Sequence, residues 1–99
     1  MEKPNVQREW DERKRQSNLA KHGLDFADAA WVLESAIRFD LDSSRRGEVR
    51  TQSMAYVFDR LAVLSVAHVP GDAIRILSFR KASTKERTKY HEWLAQDDA

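Results

Sequence analysis

The chain contains no cysteine. That excludes a disulfide framework, a thiolate nucleophile and a thiolate metal site, and it fits a reducing cytoplasm. Glycine is scarce as well. Its three copies are isolated, so no glycine-rich loop is present to cradle a phosphate. The three histidines, His22, His68 and His91, fall at no metal-ligand spacing. No serine sits in the context of a nucleophile elbow. No apolar run approaches the length that crosses a bilayer. The start, Met1-Glu2-Lys3-Pro4-Asn5-Val6, does not read as a signal peptide. An excess of one charge is missing too, with 17 Lys and Arg against 16 Asp and Glu. The net charge is therefore silent, and only the placement of the cations can be informative. These absences leave most small-molecule enzyme classes without support.

What is present is a chain of 99 residues, 41% hydrophobic and 33% charged. That is one domain, with an ordered core expected over about residues 8–95 and frayed ends at 1–5 and 96–99. Residues 11–22 read as a helix, with Asp11 as N-cap and Gly23 as a left-handed stop. Its surface is mostly polar, so it must lean on something else. A second helix is expected over residues 25–34, where Phe26, Ala29, Ala30 and Leu33 recur at helical spacing and Trp31 falls off the stripe.

The period then changes. Ile37, Phe39 and Leu41 alternate with Arg38, Asp40 and Asp42, the pattern of a strand with one buried face. Further strands are expected over 48–58, 61–69 and 73–80, separated by turns at Asp59-Arg60 and Pro70-Gly71-Asp72. Ser83-Thr84-Lys85-Glu86 matches a capping box and opens a last helix, striped by Tyr90, Trp93 and Leu94. The expected architecture is α+β: two N-terminal helices, a four-stranded, mainly antiparallel sheet and a C-terminal helix.

Candidate chemistry lies in cations near strand ends. Residues 80–89 hold five positive residues and one negative one. Lys81, Lys85 and Lys89 are spaced by four, as one row of a helix would be, and such a row can follow a phosphate backbone or simply be a solvated face. Arg80 ends the last strand just before a helix N-terminus, a setting that suits an anion. Glu48, Arg50 and Gln52 share a face by period-two spacing. A carboxylate beside a guanidinium there is either a base next to a phosphate clamp or a surface ion pair. Arg75 alternates with Ile74 and Ile76 and faces away from them. His22 closes the first helix, where the macrodipole favours a cation without any chemistry being needed.

Several of these pieces fall into the order of one family. Trp10-Asp11 followed by Lys14, Asn18 and Lys21-His22-Gly23, then Phe26-Ala27-Asp28-Ala29-Ala30, resembles the opening of the BrnT toxins. Gly47-Glu48-Val49-Arg50 resembles that family's Gly-Glu-x-Arg. Residues 74–82, Ile-Arg-Ile-Leu-Ser-Phe-Arg-Lys-Ala, resemble its last strand, and Glu86 and Tyr90 match its closing helix. The four motifs stand in order over about residues 8–93. The resemblance implies a RelE-like fold and a cytoplasmic endoribonuclease toxin that halts growth. It also implies a ribbon-helix-helix antitoxin as partner, operator DNA bound only through the complex with that antitoxin, no membrane partner, and no metal or cofactor.

On this resemblance Glu48, Arg50, Arg80 and His22 are the expected catalytic residues and Lys21 an expected RNA contact; Arg75 and the spaced Lys81, Lys85 and Lys89 complete the expected RNA contacts. Glu48 is the expected base, His22 a second candidate for acid or base, and Arg50 and Arg80 the stabilisers of charge. The alternative is a non-catalytic module that binds nucleic acid or a protein partner through the same cations.

Overall fold

The computed structural model describes residues 7–96. The element order is β1 (Gln7–Glu9), α1 (Glu12–His22), a 3-10 turn (Phe26–Asp28), α2 (Ala30–Leu33), β2 (Phe39–Asp42), β3 (Thr51–Val57), a second 3-10 turn (Phe58–Arg60), β4 (Ala62–Val69), β5 (Ala73–Lys81) and α3 (Thr84–Gln96). The fold is α+β. The ends expected to fray lie outside the described residues, except Gln96, which closes α3.

The sheet has five strands in the order β1-β5-β4-β3-β2, not four. The extra strand, β1, runs parallel to β5 and the other pairs are antiparallel. Three charged or polar residues carry no alternation, and a parallel partner so distant in sequence leaves no turn signal. The expected second helix is also shorter and broken. Asp25 caps a 3-10 turn through Ala27 N, and α2 follows as a single turn. Of its expected stripe Phe26, Ala29 and Leu33 enter the core, but Ala30 is only half-buried and Val32, off the stripe, is fully buried. The next strand starts at Thr51 rather than at 48, because residues 43–50 make a longer hairpin closed by an Arg45–Glu48 bridge.

The sheet is covered on both faces, and alternation along β3 and β4 divides the core accordingly. Ala55, Val57, Leu64, Val66, Ile76 and Phe79 pack on one side against Phe26, Val32 and Leu33. Met54 and Val63 pack on the other against Tyr90 of α3, with Phe39, Leu41 and Trp93 around them. The Tyr90 hydroxyl accepts from Tyr56 N at 3.1 Å and donates to Ile37 O at 2.8 Å, which locks α3 across β3.

The first helix begins and ends where its caps dictate. Asp11 accepts from Arg13 N and Lys14 N, and Gly23 stops the helix at φ 70°. Having almost no apolar face, it is fastened by Asn18. That side-chain amide donates to Phe79 O at 2.7 Å and to Leu24 O at 2.9 Å, and it accepts from Phe79 N at 3.1 Å. A side chain thus stands where a neighbouring strand's peptide group would stand, beyond the point where β1 has ended. The open edge of β5 is closed without a sixth strand.

Candidate active site

The side of the sheet that carries Met54 continues past the end of α3. Met54 faces Ser65, which faces Arg80; Gln52 faces Ala67, which faces Ser78. Arg75 stands opposite Val69, and Arg50 immediately precedes Thr51. By alternation, Arg50, Arg75 and Arg80 share this side. Rows lie roughly 7 Å apart along the strands and strands about 5 Å apart, so the three arginines stand around the Ser65, Ala67 and Ser78 positions. Gln52 Nε2 donates to the buried Ser65 Oγ at 2.6 Å.

Arg80 is the most constrained of the three. Its guanidinium donates to both carboxylate oxygens of Glu86, at 2.7 and 3.1 Å, and to Lys81 O at 3.2 Å. Glu86 also accepts from Ser83 N at 2.9 Å, and Ser83 Oγ accepts from Glu86 N at 3.1 Å. The capping box read from sequence is therefore also the mount of Arg80. The hydrogen bond that Arg80 donates to Glu86 raises the Arg80 pKa against the opposing effect of burial. Burial alone would raise the Glu86 carboxyl, but Arg80 and the Ser83 N–H outweigh it and hold it low. Both groups stay charged, and the guanidinium keeps unused N–H donors on one edge. The anion expected beside Arg80 is thus already supplied, in part, by the chain itself.

The other expected residues scatter. Glu48 lies in the hairpin, not on β3; it is exposed and forms an ion pair with Arg50 Nε. Arg75 is exposed and shares a shallow cleft with Glu9, Trp10 and Asp11. Lys81 belongs to β5 and faces Leu64, so it stands on the opposite side from Arg80 and outside the helical row. The row expected from spacing reduces to Lys85 and Lys89, both exposed on α3. Lys21 and His22 lie at the end of α1, beside Ser78 rather than beside Glu48.

Two residues were undervalued by the sequence reading. Glu86 was legible as a cap, but its hold on Arg80 was not. Gln52 was legible as sharing a face with Arg50, but not its bond to Ser65. A further polar chain lies on the other side of the sheet, where Ser53 Oγ donates to Asp40 at 2.6 Å and lies 2.8 Å from His68 Nε2. Among the described residues no cluster of three His, Cys, Asp or Glu could hold a metal ion, and no helix is long and apolar enough to cross a membrane.

Residues 10–86 match the model of the family described as ribonuclease toxin, BrnT, of type II toxin–antitoxin system. The chain belongs to that family. The matched span takes in α1, all of β2 to β5 and the Arg80–Glu86 pair. No curated protein matches the chain. Membership of the BrnT family brings an RNA target and an antitoxin partner with it.

Proposed function

We propose that the chain cleaves RNA internally and without a metal ion, on the side of the sheet that carries Arg50, Arg75 and Arg80. The RNA's own 2′-hydroxyl attacks the adjacent phosphorus. The new bond is 2′-O–P, the broken one P–5′-O, and the products end in a 2′,3′-cyclic phosphate and a 5′-hydroxyl. Glu48 takes the 2′-proton, the departing 5′-oxygen takes a proton from solvent water, and His22 is the second candidate for acid or base. Arg50 and Arg80 stabilise the charge that builds on the phosphate oxygens; a guanidinium stays protonated, which makes it a clamp and a poor base. The observation that carries this reading is the doubly held Arg80. Its position is set by Glu86 before any substrate arrives, and preorganised donors are worth most in such a step.

The scaffold is read as RelE-like and the site of action as the cytoplasm. The antitoxin is read as a ribbon-helix-helix protein that carries the complex to operator DNA. The exposed Trp31, Phe58 and Leu61 offer it an apolar surface.

Purified protein incubated with single-stranded RNA tests the reading, with both product ends identified. Cyclic phosphate ends are expected, with survival of RNA methylated at every 2′-oxygen. Arg80→Ala should lower kcat by about 10²- to 10³-fold, the usual loss for one preorganised donor. Cleavage of the methylated RNA would refute attack by the 2′-hydroxyl. Salt-dependent binding without any product would instead identify a binding module.

A further inference from the structure

Fastening α1 by Asn18 fixes where its cations stand. Lys14, Asn18 and His22 share one row of the helix, spaced by four, and Ser17 and Lys21 share the next. With Asn18 bonded to Phe79 on the β5 edge, Lys14 and His22 lie along that edge to either side. Facing them is an irregularity in the strand. Ala67 pairs with Ser78 but His68 pairs with Ile76, so Leu77 is an extra residue that bulges β5. Lys14, Ser17, Lys21 and His22 meet Leu77 and Ser78 around an open groove of about 300 Å³.

The groove's charge is one-sided. No carboxylate lines it. Lys14, Lys21 and His22 form no ion pair among the described residues. With no carboxylate in the lining, the two lysines leave uncompensated positive charge in a concave place, which concentrates polyanions. Ser78 stands two residues from Arg80 on the same side of β5, so the groove is continuous with the arginine-bearing side.

We propose that this groove is a second RNA-backbone site, gripping the phosphates of the strand as it leaves the arginines; it rests on the ribonuclease reading. Lys14 and Lys21 supply mobile point charges. The hydroxyls of Ser17 and Ser78 donate to phosphate oxygens, and Leu77 gives the ribose an apolar surface. Contacts of this kind position the strand and read no sequence.

The test titrates full-length protein with a labelled single-stranded RNA methylated at every 2′-oxygen, over a series of salt concentrations, alongside cleavage of unmethylated RNA. Lys14→Ala/Lys21→Ala should weaken binding about tenfold or more at low salt and flatten the dependence of log K on log salt by roughly 1.4, about 0.7 for each lost phosphate contact. KM should rise while kcat holds. Lys14→Arg/Lys21→Arg should retain affinity and slope, which separates charge from folding. Unchanged affinity in the alanine pair, with wild-type cleavage intact, would overturn the groove and leave the ribonuclease reading standing. Equal loss in the arginine pair would also overturn it. Wild-type protein that neither binds nor cuts RNA would remove the ribonuclease reading itself, and the groove with it.

Discussion

A buried histidine with one ring nitrogen bonded and the other bare is a stability device with a defined pH response. Ser53 has a single proton and gives it to Asp40, so Ser53 Oγ must accept from His68 Nε2–H. His68 Nδ1 then carries a lone pair, and it has no partner among the described residues. A proton added there would be a buried charge beside Arg38. Burial lowers the His68 pKa first, Arg38 lowers it further, and Asp40 opposes both. The unfolded chain therefore binds this proton more readily than the folded one. Stability from neutral His68 is complete above its ordinary value of 6.5 and drains away as pH falls. The carboxylates follow later. Asp40 and Glu86 are held below their ordinary 3.8 and 4.5, so their contribution is lost only as pH falls below those values and through the folded-state pKa. A melting series should show Tm falling in two stages. His68→Gln, which keeps a donor for Ser53 and cannot be protonated, should remove the first stage. A wild-type Tm that stays flat from about pH 7 to about pH 5 would rule out the buried neutral histidine. At this scale the sequence was partly opaque: His68 stood near a strand end, but only the register that sets Ser53 beside Val66 and Thr51 beside His68 brings the chain together.

At the scale of elements, α1 shows most directly how a polar sequence makes a fixed helix. Only Asn18 is buried in it, and the three bonds of that amide replace the apolar stripe other helices use. Asn18→Ala should therefore cost far more than an exposed helix substitution. It leaves both backbone groups of Phe79 without their partner on that edge, and the loss should be about 2–4 kcal/mol, read as a lowered urea midpoint with unchanged slope. Asn18→Asp should be at least as damaging, because a carboxylate cannot donate to Phe79 O and Leu24 O. An effect below about 0.5 kcal/mol for both would mean that α1 is held by something else. The caps of α1 and α3 were legible because a capping residue acts on its own neighbours in sequence, and the β2 alternation was legible because α3 buries Phe39 and Leu41 but not Asp40. The parallel β1, the bulge at Leu77 and the break in the second helix were not legible. Each depends on a partner strand or a packing surface far away in sequence, and Lys81 was misplaced for the same reason, since the strand runs on to the last residue before the turn.

On the whole molecule, the largest exposed apolar side chains stand away from the arginine-bearing side and the α1 groove. The arginine-bearing side and the α1 groove gather cations, while Trp31, Phe58 and Leu61 stand exposed around the β3–β4 hairpin, with Arg60 beside them. Phe58 packs its edge on Tyr56 at 4.9 Å, and Arg60 lies 5.2 Å over the Trp31 ring. Leu61 is 79% exposed and sits at φ 52°, a left-handed conformation that costs a branched side chain roughly 1–2 kcal/mol over glycine. An exposed leucine in that conformation does nothing for folding that glycine or asparagine would not do better. Leu61→Asn should accordingly leave stability unchanged or raise it by up to about 1 kcal/mol. The antitoxin contact proposed for this hairpin would account for the residue where folding does not. Phe58→Asp/Leu61→Asn should therefore weaken the complex with the cognate antitoxin by about a hundredfold or more, the usual scale for two anchoring residues of an interface. RNA cleavage by the free variant should stay at the wild-type rate, since both residues lie at the end of β3 away from Arg50 and neither lines the groove. Co-purification with the antitoxin and cleavage assays on one preparation separate the two effects. An intact complex with the variant would move the antitoxin off this hairpin, and joint loss of binding and cleavage would show that the inhibitor and the RNA compete for one surface.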